Sequence, residues 1–404
     1  MVHWPTIKQG FVMIGFLADW ATLLLRWFHI TLGIAWIGAS FFFVWLDISL
    51  KKRAQMNKGV AGTSWMVHGG GFYHVEKYLV APESLPEDLH WFKWEAYLTW
   101  ISGFALLISI YYFNASAYLI DPSVMALEPW QAIAISIGSL LAGWLIYDGL
   151  CRSPIGREQI LLVPAVFVLI CAAAYLFTLV FGGRGAFIHV GAFVGTIMAA
   201  NVFAVIIPNQ AKITKALLAG DPPDPKLGQI GKQRSLHNNY LTLPVLVMMV
   251  SSHHPMLFSH EKSWLIVALI LVVGAMVRHF INRHDAGVPA KKILWTLGVA
   301  ALALIGLILM TAPKPVDDTV EVMPDTQVFA MVSKHCTVCH SGSPRHDDYD
   351  EAPKGIKFNS LVDVRTQKNA VLQQSVNSNA MPMGNETGMT AEERAALGAW
   401  LRAQ

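Results

Sequence analysis

Charge is scarce in this chain. Charged residues fill 14% of its 404 positions and the net charge is +3 at pH 7, whereas a typical soluble protein is about 25% charged. So mild a balance gives no electrostatic case for a nucleic-acid partner. Cysteine is scarcer still, with four residues, too few for a disulfide framework. There is no internal repeat and no low-complexity tract, which excludes solenoid, collagen-like and disordered classes. What fills the chain is apolar: 54% of residues are hydrophobic and the mean hydropathy is +0.44. A soluble fold of this length could not bury so much apolar surface, so most of the chain is expected in a bilayer.

A hydrocarbon core about 30 Å thick needs about 20 apolar residues per helix. Eight runs meet this, at roughly 16–46, 91–113, 129–150, 158–180, 185–207, 236–254, 263–282 and 292–312. Basic residues decide the orientation. Connections 47–90, 151–157, 208–235 and 283–291 carry fourteen Lys and Arg, from Lys51 to Lys291, while the alternate segments carry only Lys8, Arg184 and Lys262. The first set is expected to be cytoplasmic, which puts both ends of the membrane domain outside. Residues 1–15 lack the charged start and short apolar core of a cleavable signal. The expected fold class is all-α: an eight-helix transmembrane bundle over 1–312, a stiff Pro-rich linker over 313–324, and a small α-helical domain over 325–404. Helices are expected near 325–335 and 391–402, with Asp325 and Thr390 as N-caps, and Thr390-Ala-Glu-Glu393 has capping-box spacing.

The last domain contains Cys336-Thr-Val-Cys339-His340. Cys-x-x-Cys-His is the attachment signature of c-type haem: both thiols become thioethers and the adjacent histidine ligates iron. A redox Cys-x-x-Cys leaves His340 unexplained, and a zinc site lacks its second ligand pair. Met381, ahead of the last helix, is the expected sixth ligand, with Met383 and Met389 as alternatives. A Met/His pair raises the potential of the iron. The domain is similar to single-haem class I cytochromes c, which implies a site outside a bacterial inner membrane.

Ionisable groups in membrane spans are costly and are functional candidates by default. The first helix carries Asp19, Thr22, Arg26, His29, Gly33, Trp36, Ser40 and Asp47 at three-to-four residue spacing, a seam that either packs helices or makes His29 a ligand. The second opens with His90, Lys93, Glu95 and Tyr97, just after His68-Gly-Gly-Gly-Phe-Tyr-His74, read as a flexible loop or as backbone closing on a ligand. Further along come Asn201, Asn209 and Gln210, then Arg234-Ser-Leu-His237-Asn238-Asn239-Tyr240, then Arg278-His279 and Asn282. Each alone reads as a capped helix end. Together they gather amides, cations and histidines at the cytoplasmic ends of several helices. Paired amide donors and acceptors with an arginine fork suit a planar anionic ring. His29, His189 and His279 are candidate haem b ligands, with satisfied interfacial histidines as the plain alternative. Cys151 and Cys171 read as packing residues.

An eight-helix membrane domain joined to a Cys-x-x-Cys-His domain is an uncommon pairing. Together with His68–His74, Leu89-His-Trp-Phe-Lys-Trp-Glu-Ala-Tyr97 and His237-Asn-Asn-Tyr-Leu-Thr-Leu-Pro244, it resembles the bacterial membrane-bound urate oxidases (urate hydroxylases) with a cytochrome c tail. The resemblance implies oxidation of urate to 5-hydroxyisourate in purine breakdown. Electrons would pass to the haem c and on to a soluble periplasmic cytochrome c or terminal oxidase. On this reading Arg234 or Arg278 offsets the anion, and Asn201, Asn238, Asn239 or Gln210 reads its amide edge, with Tyr240, His90 and Tyr97 close by. His237 or a Lys93/Glu95 pair is the base. A cytoplasmic-side substrate and an outer haem lie near one hydrocarbon thickness apart, so either the pocket is deep, near His29, or haem b bridges the gap. The rival class is a quinol-to-cytochrome c conduit with no substrate chemistry. A transporter would need related halves, and none is present.

Overall fold

The computed structural model describes residues 7–78, 80, 82–86, 88–312, 321–346 and 349–404, with side chains from Phe16 onward. The opening residues, where no cleavable signal is expected, and 313–320 of the linker lie outside them.

The chain is mostly helical. α1 (Ile7–Ser49) is followed by the strands β1 (Val60–His68) and β2 (Gly71–Tyr78). Next come α2 (Trp94–Leu106), α3 (Ala115–Tyr118), α4 (Pro129–Arg152), α5 (Gln159–Thr178), α6 (Gly183–Ala200) and α7 (Ile207–Leu218). The membrane-type part closes with α8 (Pro225–Val250), α9 (Pro255–Phe258), α10 (Ser263–Asp285) and α11 (Ala290–Met310). Among the described residues, six helices are long and apolar enough to cross a membrane: Phe16–Ser49, Pro129–Arg152, Gln159–Thr178, Gly183–Leu218, Ser263–Asp285 and Ala290–Met310. The other two of the eight expected spans are helical but fall short by that measure. α2 has 13 residues before it passes into a π-helical stretch at Leu107–Tyr112, and the first half of α8 is polar.

The all-α expectation needs one correction. β1 and β2 pair as an antiparallel hairpin with His68 opposite Gly71 and Trp65 opposite His74, so His68–His74 is an ordered turn with its flanks and not a flexible loop. Gly69 (φ 58°) and Gly70 (φ 79°) supply the two positive-φ positions that a two-residue hairpin turn demands. The runs on either side, rich in Val, Trp, Phe and Tyr, favour strands.

α6 is the hub. It buries Phe187, Val190, Phe193, Val194 and Ile197 against α4, α5 and α8. The ring of Phe193 lies where a Cβ on Gly143 of α4 would have to go. Pro244 cannot donate to the carbonyl one turn back, which loosens α8 there. Gly274 of α10 faces this spot so closely that an added Cβ would stand 2.5 Å from Pro244 Cδ.

The C-terminal unit contains α12 (Asp325–His335), α13 (Leu361–Thr366), α14 (Lys368–Val371) and α15 (Ala391–Arg402). Val328, Val332, Leu397, Trp400 and Leu401 form the centre of its core. α12 and α15 lie where the sequence places them. Thr390 closes a reciprocal capping box with Glu393, at 3.2 Å and 2.8 Å. Asp325, expected as an N-cap, is instead the first helical residue after Pro324. Its carboxylate accepts from Trp400 Nε1 and Arg365 Nη2, both at 2.8 Å, which ties α12 to the rest of the unit.

Glu393 makes this packing pH-sensitive. Partial burial raises its pKa, but the Thr390 backbone amide, His335 and Lys334 outweigh that and hold it at about 2. A carboxyl depressed in the folded state contributes stability above its unfolded pKa of about 4.3 and loses it as pH falls through the folded value. The protection of Ala391–Arg402 against hydrogen exchange in the full chain, taken relative to the intrinsic rate at each pH, is therefore expected to fall between about pH 4 and pH 2. E393Q should flatten that dependence, and an unchanged profile in E393Q would refute the assignment.

Candidate functional site

The first half of α8 turns polar residues toward two different neighbours. Arg234, His237 and Asn238 recur at offsets of three and four and face α4 and α6, while Asn239 and Tyr240 face α10. The helix opens with Pro225, and the Asp224 side chain caps it by accepting from the Lys226 amide at 2.9 Å.

On the first side, Arg234 is only 2% exposed. Its Nη2 donates to Asp148 Oδ1 at 2.7 Å and its Nη1 to Asn201 Oδ1 at 3.2 Å. The guanidinium also lies 5.0 Å from the Tyr147 ring centroid. The other Asp148 oxygen takes Arg152 Nε at 2.6 Å. Asn201 Nδ2 donates to Tyr147 Oη at 3.1 Å and to Asn238 Oδ1 at 3.0 Å. Asn238 Nδ2 in turn donates to the Met198 carbonyl at 2.9 Å. Tyr147 Oη lies 2.7 Å from His237 Nδ1. Asn201 begins a π-helical stretch, Asn201–Ile206. Such stretches shift side chains out of α-helical register and recur at functional sites. The network is nearly closed, and its buried atoms without a partner are Arg234 Nε and His237 Nε2.

The second side differs in one respect that decides its chemistry. Arg278 is 4% exposed, yet no carboxylate lies within ion-pair distance of it among the described residues. Its Nε donates to Asn239 Oδ1 at 3.3 Å and its Nη2 to Asn282 Oδ1 at 2.9 Å. The guanidinium sits 3.9 Å from the Phe41 ring centroid. Asn282 Nδ2 also donates to Asn239 Oδ1, at 2.9 Å, and Asn239 Nδ2 is buried with no partner. Tyr240 Oη lies 2.9 Å from His279 Nδ1. Amide oxygens soften a buried positive charge but do not neutralise it. Among the described residues this side therefore holds a buried guanidinium with no paired carboxylate.

Of the residues expected to act together, the structure joins Arg234, His237, Asn238 and Asn201 on one side of α8. It joins Arg278, Asn239, Tyr240 and His279 on the other. Others stand apart. Lys93 and Glu95 do not pair; Lys93 Nζ lies 5.4 Å from the Trp94 ring centroid. Tyr97 packs edge-on to Phe203 at 5.5 Å and His90 to Phe92 at 4.6 Å. Gln210 is exposed on α7. His29 Nδ1 meets the Thr99 carbonyl at 3.0 Å and Ser102 Oγ at 3.1 Å, with its ring pressed on Gly103, where a Cβ would stand 2.8 Å from Cε1. His189, fully buried, has Nδ1 2.7 Å from the Gly185 carbonyl and Nε2 2.6 Å from Ser136 Oγ. Asp148 and Tyr147 are not among the residues that sequence reasoning selects. The signal is present, since Asp148 is an acid inside a run counted as a membrane span.

In the C-terminal unit, His340 Nδ1 donates to the Ile356 carbonyl at 3.0 Å. That bond engages Nδ1 and not Nε2, an arrangement that metal-binding histidines also adopt. Cys336 and Cys339 form no disulfide. Of the three candidate sixth ligands, Met389 is buried in the core of the unit, Met383 lines a cavity beside α3, and Met381 precedes it in the loop ahead of the last helix. Arg394 Nη1 holds its carbonyl at 2.6 Å.

A family model described as urate oxidase N-terminal matches residues 15–312 of the chain. No curated protein and no solved structure matches it.

Proposed function

The chain belongs to the urate oxidase N-terminal family, and from that premise we propose that it oxidises urate to 5-hydroxyisourate at the α8–α10 side of the polar layer. The observation that carries this reading is Arg278, a buried guanidinium with no carboxylate at ion-pair distance among the described residues. A urate monoanion supplies the missing charge, and its ring edge offers the acceptors that Asn239 Nδ2 lacks. Asn282 and Asn239 fix the plane of the ring, while the Tyr240–His279 pair is placed to take up a proton. In balance, urate monoanion and water give 5-hydroxyisourate, one proton and two electrons. The Arg234–Asp148–His237 network backs α8 from the other side. In that role His237 is a positioning residue, because its Nδ1 is engaged by Tyr147 Oη on the other side of α8.

In the same reading, the six apolar helices lie in a bacterial inner membrane with the C-terminal unit in the periplasm. The residues there fit a haem c: Cys336 and Cys339 for attachment, His340 Nε2 and Met381 for the iron. Such a group, when bound, supplies one-electron acceptance, so each urate requires two successive transfers, with a soluble cytochrome c or a terminal oxidase downstream. The test is anaerobic. Urate added to the purified, detergent-solubilised protein should reduce its c-type haem. A haem that dithionite reduces and urate does not would overturn the proposal.

A further inference from the structure

We infer that the C-terminal unit docks on the outer end of the membrane-type helices through its Met381–Asn385 loop, and that electrons leave the membrane-type part at this contact. The second half of the inference rests on the proposed oxidation, and the first half does not. Four observations meet at one place.

Gly384, at φ +56°, approaches the backbone around α3 so closely that an added Cβ would stand 2.9 Å from the Ser116 carbonyl oxygen and 3.1 Å from that of Ile120. This is backbone on backbone, which a side chain cannot evade by rotating. Ala380, ahead of the loop, is buried within the apolar cluster of the membrane-type helices and not in the core of its own unit. The loop is also stiffened from behind. Arg394 Nη1 donates to the carbonyls of Ser375 at 2.7 Å and Met381 at 2.6 Å, and its Nη2 to Asn385 Oδ1 at 3.3 Å. Finally, α3 covers a run of aromatic rings leading inward, Tyr118 to Tyr111 at 6.0 Å and Tyr111 to His189 at 6.5 Å between centroids. A cavity of about 200 Å³ lies beside the contact, lined by Asp121, Arg184 and His260 from one part and Asn379 and Met383 from the other.

The consequence is directional. The residue expected to ligate the iron lies three positions from the tightest contact with the helices. The chain has brought the loop of the expected ligand to the membrane-type part, so a soluble acceptor must use another face of the unit or wait for the contact to open.

G384V in the full chain tests this, with G388A as its control. Gly388 also has a positive φ, +66°, but nothing lies within 4 Å of where its Cβ would be, so it imposes backbone strain without a docking clash. Hydrogen exchange of 115–121 is expected to rise on the order of tenfold or more in G384V and to stay unchanged in G388A, with Ala391–Arg402 protected in both. Unchanged protection of 115–121 in G384V, or an equal rise in G388A, overturns the docking. Undocking also turns an intramolecular transfer into one that depends on re-encounter. Urate-driven haem reduction should slow on the order of tenfold or more in G384V, with dithionite reduction intact. Lost protection with unchanged reduction overturns the electron route alone. If urate reduces nothing even in the unaltered protein, the proposed oxidation fails, and exchange still decides the docking.

Discussion

An R278Q variant loses urate binding while keeping or gaining stability. The two effects separate because Arg278 is a buried charge held by amide oxygens and the Phe41 ring, with no carboxylate at ion-pair distance among the described residues. In the ligand-free protein that charge is held at a cost, since a buried ion without a counter-ion is under-compensated. Glutamine removes the charge and retains an amide able to meet Asn239 and Asn282. With urate present the sign reverses. Deleting one member of a buried, hydrogen-bonded charge pair costs about 2–5 kcal/mol, so affinity should fall on the order of 30-fold to 1,000-fold or more. Calorimetric titration of urate and a thermal melt of the same sample measure both effects. R278K should recover only part of the affinity, because an ammonium lacks the planar fork. Unchanged affinity in R278Q would falsify the assignment, and a collapse in stability would mark Arg278 as a structural residue.

D148N has the largest expected effect on stability. It strips the carboxylate from a guanidinium that is 2% exposed, and breaking such a pair by removing one partner costs about 3–5 kcal/mol. Most of that belongs to Arg234. Arg152, the other partner of Asp148, has a side chain 68% exposed, and pairs of that kind contribute about 0–1 kcal/mol. The double variant D148L/R234M replaces the pair with apolar groups and should recover most of the loss. Melting temperatures of the wild type, D148N and the double variant make the comparison. If D148N melts like the wild type, the pair is not compensating a buried charge. Urate affinity in the double variant should stay within a few fold of wild type, since the anion is assigned to the opposite side of α8. A loss as deep as that of R278Q would move the substrate to Arg234.

Much of the polar layer is legible in the order of residues alone. Arg234, His237, Asn238, Asn239, Arg278 and Asn201 are gathered by position along their helices, since span boundaries and loop charges place helix ends on one side. The C-terminal helices and the Thr390 capping box are equally plain, because caps and Cys-x-x-Cys-His spacing act within a few residues. Sequence and fold part where a local pattern has two solutions. Three glycines between His68 and Phe72 read as a loop, but the strand-forming residues on both sides make them a hairpin turn. A glutamate beside a lysine at the start of α2 suggests a Lys93/Glu95 base, yet residues two apart on a helix do not face each other, and Lys93 meets Trp94 instead.

The scarcity of charge that marks the whole chain is where the two levels divide. By itself, the sequence determined that few charges exist, that most lie at one end of the helices, and that a Cys-x-x-Cys-His unit follows them. Periodicity, apolar run length and motif spacing are properties of neighbouring residues. Only the tertiary structure decided which of the two buried arginines has a carboxylate partner. Arg234 is answered by an aspartate 86 positions away on another helix, and Arg278, among the described residues, by amide oxygens and the Phe41 ring with no paired carboxylate. Compensation of a buried charge depends on distance in space, and the order of residues along the chain does not record it.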